Sequence, residues 1–208
     1  MFMDKGQGTQ MKLLFSPASP FARKVCIVIR EKGLASHIDE VVTYPFENGE
    51  NLLSLNPLAK VPTLDTEEGS LFDSPVLCEY IDSLVVEPRL IPAEFSQRIQ
   101  VMRMQSLADG VMDAAVASVL ELQRTDANPS VYWLTRREAA IRRTIRVFAE
   151  SRLPNDIRLD GIAIACALAY LDFRMPKISW REEHSMLSSW FSAYSNRQSF
   201  ADTAPQTT

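Results

Sequence analysis

At Glu87 the chain changes texture. Before it, short apolar runs of strand length alternate with runs of helical period; beyond it, no stretch reads as a strand. A segment with both kinds of element must layer a sheet with helices, whereas helices alone must bury their stripes against one another. Prolines in "EPRLIPAE" punctuate the change. The reading is a polar, mobile leader over residues 1–10, an α/β part over 11–86, a linker over 87–95 and an all-helical part over 96–208. The leader, "MFMDKGQGTQ", has no apolar signal core, and Met11 is the expected real beginning.

In the first part, Met11 to Phe15 is a short apolar run ended by Ser-Pro, expected to be a buried strand. Pro20 to Lys32 reads as a helix: Phe21, Val25, Val28 and Ile29 share one face, and Gly33 is a natural stop. Ile38 to Tyr44 supplies a second strand, followed by a polar loop with Asn48 and Gly49. Thr63–Asp65 and Ser70–Phe72 flank the turn "TEEG" as a hairpin, and a helix opens at Asp73-Ser74-Pro75 and runs to about Leu84. The order βαβ then ββα implies a mixed sheet covered by helices.

The second part begins with a long helical segment, Ser96 to Arg124, in which Gly110 is a candidate bend. Ser130 to Arg152 is another. Leu159 to Phe173, "LDGIAIACALAYLDF", is apolar or small almost throughout, the pattern of a helix buried all round. Met175-Pro176 ends it, and "EEHSMLSSWFSAYSNRQSF" reads as one last amphipathic helix.

Several function classes recede on composition. A net charge of −4 argues against nucleic acid, and the cluster Arg136, Arg137, Arg142, Arg143 and Arg146 lacks the interleaved aromatics of a stacking surface, so it reads as a solvated helix face. No apolar run reaches membrane-spanning length. Cys26, Cys78 and Cys166 are odd in number and widely spaced, which suits a reducing cytoplasm. They form no metal spacing, and His37 and His184 stand near no nucleophile motif, so neither a zinc site nor a histidine triad is expected.

The chemistry-bearing features are two helix starts of the same kind, Ser19-Pro20 and Ser74-Pro75. Serine before proline caps free N–H groups, and proline fits the first helical position. Each start can be punctuation alone, or a place that holds negative charge.

Four stretches together, "SPFARKV", "NPLAKVPTL", "FDSPVLCEYID" and "LSSWFSAYSNRQSFADTAP", resemble the cytosolic glutathione transferase family over Met11 to Pro205, nearest a bacterial subgroup with a Ser-Pro-Phe start. The resemblance implies a thioredoxin-like glutathione-binding domain, a helical-bundle domain offering an acceptor pocket, and a homodimer. It places Ser19 at the catalytic position, where a hydroxyl donating to sulfur at a helix N-terminus would stabilise the glutathione thiolate; Ser16, on the same loop, is the alternative. Phe21 is carried over with that loop. It implies a cis bond before Pro62 that turns the Val61 backbone toward the glutathione cysteine. Lys60 would meet the glycine carboxylate, Asp73 the γ-glutamyl ammonium, and Ser74 with its helix start the γ-glutamyl carboxylate. Met104, Leu107, Asp109 and Met112 are candidates for the acceptor pocket.

The implied function is a cytoplasmic transferase joining glutathione, as co-substrate, to a small-molecule electrophile, with no metal, nucleic acid or membrane involved. Two rivals share the letters: a partner-binding module on the same fold, and a glutathione-dependent peroxidase. The chain departs from the family at Gln198, where a proline is usual, and at the start of the buried helix. There Arg158 and Gly161 stand where a Ser/Thr and an Asp would form a reciprocal cap, and Asp160 or Asp156 is the expected substitute.

Overall fold

The computed structural model describes residues 11–47 and 49–206; the expected leader and Asn48 lie outside the described residues. These residues fall into two compact units, one of residues up to Ile91 together with the segment from Gln198, the other Pro92–Arg197.

The first unit is built on a four-stranded mixed sheet of order β2-β1-β3-β4. β1 (Met11–Phe15) lies parallel to β2 (Ile38–Val42) and antiparallel to β3 (Thr63–Thr66), which forms a hairpin with β4 (Gly69–Leu71). Such a parallel pair needs a crossover, supplied by helix α1 (Pro20–Glu31). Gly33 has φ +69° just past that helix, a backbone angle that glycine adopts without steric cost. Leu13, Leu14 and Leu64 from the sheet and Val25, Ile29, Leu77 and Ile81 from α1 and α3 (Ser74–Leu84) are fully buried or nearly so.

Two short elements escaped the sequence pattern: a 3₁₀ turn at Pro45–Glu47 and helix α2 (Glu50–Leu55). α2 has six residues, buries only Leu52 and starts at Gly49, which has no side chain to cap it. Periodicity and capping signals therefore had nothing to report.

The second unit is helical. α4 (Phe95–Leu122) runs uninterrupted through Gly110, followed by α5 (Val131–Glu150), α6 (Leu159–Arg174), α7 (Trp180–Glu183) and α8 (Ser185–Tyr194). α6 is buried almost all round as expected and packs chiefly on α4, whose Val101, Ala108, Val111 and Ala115 are buried. On α5, Arg142 pairs with Glu138 and Glu183, while Arg136, Arg143 and Arg146 are exposed. No helix among the described residues is long and apolar enough to cross a membrane.

The expected single last helix is instead three pieces, α7, α8 and α9 (Gln198–Ala201). The expected helical part of 96–208 is also shortened, because its end returns to the first unit. Ser199 and Phe200 are buried, the Ser199 hydroxyl donates to Glu31 on α1, and the Gln206 N–H reaches the Pro17 carbonyl at 3.4 Å.

The cap of α6 is rebuilt. Arg158 stands at the N-cap and makes no side-chain capping bond. Asp160 does not replace it either: within the first turn it accepts Nε and Nη2 of Arg158 at 3.2 and 2.8 Å. The tyrosine of α8 makes the half of the missing box that ties the N-cap residue, since Tyr194 Oη accepts from the Arg158 N–H and donates to its carbonyl, both at 3.1 Å. Gly161 makes this possible, because a Cβ there would collide with Cζ, Cε2 and Oη of Tyr194.

Candidate functional site

Strand register brings the three singled-out stretches to one end of the sheet. Leu14, near the end of β1, pairs with Thr63, the first residue of β3; Leu64 in turn pairs with Leu71, the last of β4. The chain therefore leaves β1 toward Ser16–Ser19, enters β3 from Lys60–Pro62 and leaves β4 toward Asp73–Ser74 along the same edge. The start of α1, the loop before β3 and the start of α3 lie in a row, with the loop in the middle.

Ser19 is the N-cap of α1, in extended conformation, and its hydroxyl accepts the Ala22 N–H at 3.2 Å. That bond occupies one lone pair and leaves the O–H free to donate to a further group. Ser16 differs. It is 8% exposed, its carbonyl accepts the Ser19 N–H at 3.0 Å, and its hydroxyl accepts the Ala18 N–H at 3.4 Å, so burial in the turn is what separates it from the half-buried Ser19. Phe21 is half-buried in the first turn of α1.

The Val61–Pro62 bond is cis, as are Phe72–Asp73 and Glu87–Pro88. Two residues that sequence reasoning passed over hold the middle loop. Asn56, 1% exposed, donates to the Lys60 carbonyl and to Thr63 Oγ1, both at 3.0 Å, and accepts the Leu58 N–H at 2.9 Å. Thr63 Oγ1 donates to the same Lys60 carbonyl at 2.9 Å. Between them Ala59 has φ 51°, a left-handed angle that a non-glycine residue adopts only where its surroundings impose it. An Asn opening a Pro-containing stretch signals a turn; its grip on a carbonyl four residues on is a tertiary fact. Lys60 itself is exposed.

At α3 the capping assignment shifts by one residue. Asp73 occupies the N-cap and Ser74 is already helical, so Ser74 is not the cap; the Asp73 side chain makes no capping bond either. Asp73 is exposed and Ser74 is 2% exposed. First-turn N–H groups of a helix have no intrahelical partners, which suits a carboxylate. On α4, Met112 is fully buried, which makes it core rather than pocket lining; Met104, Leu107 and Asp109 are half-buried.

A family model, "Glutathione S-transferase, N-terminal domain", matches residues 13–89. Over 201 residues the chain is 38% identical to an uncharacterized GST-like protein, YibF, of Escherichia coli K12, covering 94% of this chain and 98% of that one. The chain belongs to the glutathione transferase family. Its fold, a thioredoxin-like unit and a helical bundle, is shared with a family member from Pseudomonas fluorescens Pf-5 solved with bound glutathione, at a TM-score of 0.90 and 34% identity over 95% of this chain and 100% of that one. A glutathione S-transferase from Methylobacillus flagellatus, also with glutathione bound, aligns at a TM-score of 0.86 and 35% identity over 94% and 100%.

Proposed function

We propose that the chain binds glutathione at this sheet end and transfers its thiolate to a small electrophile, acting as a cytoplasmic homodimer. One observation carries the reading: Ser19 caps α1 with its O–H free, in line with the Val61–Pro62 loop and the start of α3. The solved relatives with glutathione bound support the same ligand.

The three features suit the three parts of the tripeptide. Asp73 offers an exposed carboxylate to the γ-glutamyl ammonium, and the first turn of α3, beginning at Ser74, offers N–H groups to its carboxylate. The Val61 backbone receives the cysteine's main chain, and Lys60 meets the glycine carboxylate. At α1, Ser19 donates its hydroxyl hydrogen to the sulfur. An ordinary thiol has a pKa of about 8.5, so most of it is protonated at neutral pH; a hydrogen bond and a helix N-terminus both favour the anion. The thiolate's electron pair then forms a carbon–sulfur bond. The electrophile either expels a leaving group with its bonding pair or takes up a proton as the adduct.

Steady-state conjugation of glutathione to a chloronitroarene tests this. The native chain should turn over, and Ser19→Ala should lose roughly tenfold or more, since one pKa unit corresponds to a factor of ten. Turnover unaffected by Ser19→Ala would remove Ser19 from the chemistry.

A further inference from the structure

Among the described residues, no carboxylate forms an ion pair with Arg23 of the first unit. Arg23 stands one helical turn beyond Ser19, its backbone N–H bonded to the Ser19 carbonyl at 3.0 Å. The returning C-terminal segment holds its guanidinium: Nη2 donates to the Phe200 carbonyl at 3.2 Å, and Cζ lies 5.9 Å from the centroid of the Phe200 ring. Nε and Nη1 are shut off from solvent and have no hydrogen-bond partner among the described residues.

Four carboxylates on α1 and the segments around it are engaged elsewhere, and Asp73, at the start of α3, is exposed. Glu40 of β2 takes Arg30, Asp82 of α3 takes Lys32, Glu31 accepts from Ser199, and Asp202 accepts from the Gln198 side chain. Glu79 of α3 is exposed and has contacts of its own, and the fully buried Lys24 adds a further basic group on the same helix. A guanidinium keeps its charge at any pH at which a protein works. Partly desolvated and unpaired, such a charge is weakly screened and projects its field along the first turns of α1.

We propose that Arg23, held in place by Phe200, is an electrostatic positioning residue whose unneutralised charge favours the ionised form of a thiol placed at the Ser19 end of α1. The inference rests on Ser19 marking the sulfur position. It adds to the helix dipole and the serine hydroxyl a third source of thiolate stabilisation, and it gives the C-terminal return a role at the site. An opposite charge at about 4–6 Å lowers an acid's pKa by roughly 1–3 units, and the proposal requires an effect at the lower end of that range, about one unit.

The test uses Ser19→Cys as a probe that needs no glutathione. Alkylation of the introduced thiol by iodoacetamide is followed against pH, with mass spectrometry of the peptide that carries it. Cys26, Cys78 and Cys166 are at most 2% exposed, so they contribute little. Adding Arg23→Gln should raise the thiol's pKa by about one unit, and Arg23→Lys, which keeps the charge and loses the fork, should leave it within about 0.3 units. An unchanged pKa in Arg23→Gln, or an equal rise in both variants, overturns the proposal. If Arg23→Gln does not fold, Arg23→Met takes its place under the same criterion. Failure of both neutral variants to fold beside a folded Arg23→Lys also overturns it, because the charge then serves the fold. Absence of glutathione binding by the native chain would sink the transferase reading while leaving this result standing. A flat thiol profile in a protein that binds glutathione would sink this inference alone.

Discussion

Ser16 and Ser19 lie three residues apart on one loop, and each hydroxyl accepts one N–H and keeps a proton to give. What separates them is exposure, since Ser16 is buried in the turn and Ser19 is half-buried at the start of α1. Ser19→Ala should therefore raise the pKa of bound glutathione, read from thiolate absorbance against pH, by about one unit, with affinity nearly unchanged. Ser16→Ala should leave that pKa where it was; the reverse pattern would move the assignment three residues upstream. Asp73 is proposed to position the γ-glutamyl ammonium, and losing a charge-assisted hydrogen bond costs about 1.5–3 kcal/mol. Asp73→Ala should weaken glutathione binding by about tenfold or more in a calorimetric titration, whereas an unchanged affinity would remove Asp73 from the γ-glutamyl site. Ser19 was legible because Ser-Pro before an apolar-periodic run has one common local solution. Asn56 was not, because its importance comes from a carbonyl that only the folded loop places within reach.

Among elements, α6 shows how one local departure is absorbed by another helix. Trp190 donates Nε1 to the Pro154 carbonyl at 2.8 Å and stacks on Tyr194 with centroids 4.8 Å apart, which fixes the tyrosine over the α6 start. Tyr194→Phe keeps the ring and removes both hydrogen bonds to the Arg158 backbone, and should cost about 1–2 kcal/mol in denaturant unfolding. Gly161→Ala should cost more, because the new methyl and the ring claim the same space. Burial, the main influence, raises the pKa of the Tyr194 hydroxyl well above that of a free tyrosine. Its contribution to stability is thus complete below about pH 10 and lost as pH rises beyond it; Tyr194→Phe should flatten that alkaline decline.

A second device joins the ends of α1 and α3. Lys32, 4% exposed, donates to Asp82 and to the carbonyls of Val85 and Pro88, and Asp82 accepts the N–H groups of Leu90 and Ile91 at 2.9 and 3.1 Å. Breaking a buried pair strands a charge, so Asp82→Ala should destabilise by about 3–5 kcal/mol, measured by urea unfolding. A loss below 1 kcal/mol would mean that the clamp is solvated. The expected linker over 87–95 is thus fastened to the first unit up to Ile91, which its prolines alone did not reveal.

For the whole molecule, alternation of short strands and helices followed by helices only was enough to predict both units and the mixed sheet, because those periods are set by core burial along the chain. What escaped was non-local: the return of Ser199 and Phe200 to α1, the division of the last helix at His184, and the one-residue shift at Asp73. The row of three features at one sheet end follows from strand register, and its proposed ligand is glutathione. Isothermal titration of glutathione into the native chain tests that claim most directly. The account predicts saturable binding, one site per chain, with a Kd between micromolar and low millimolar. A folded protein that gives no binding heat at any of several temperatures, and no displacement of a glutathione-conjugate probe, would contradict it.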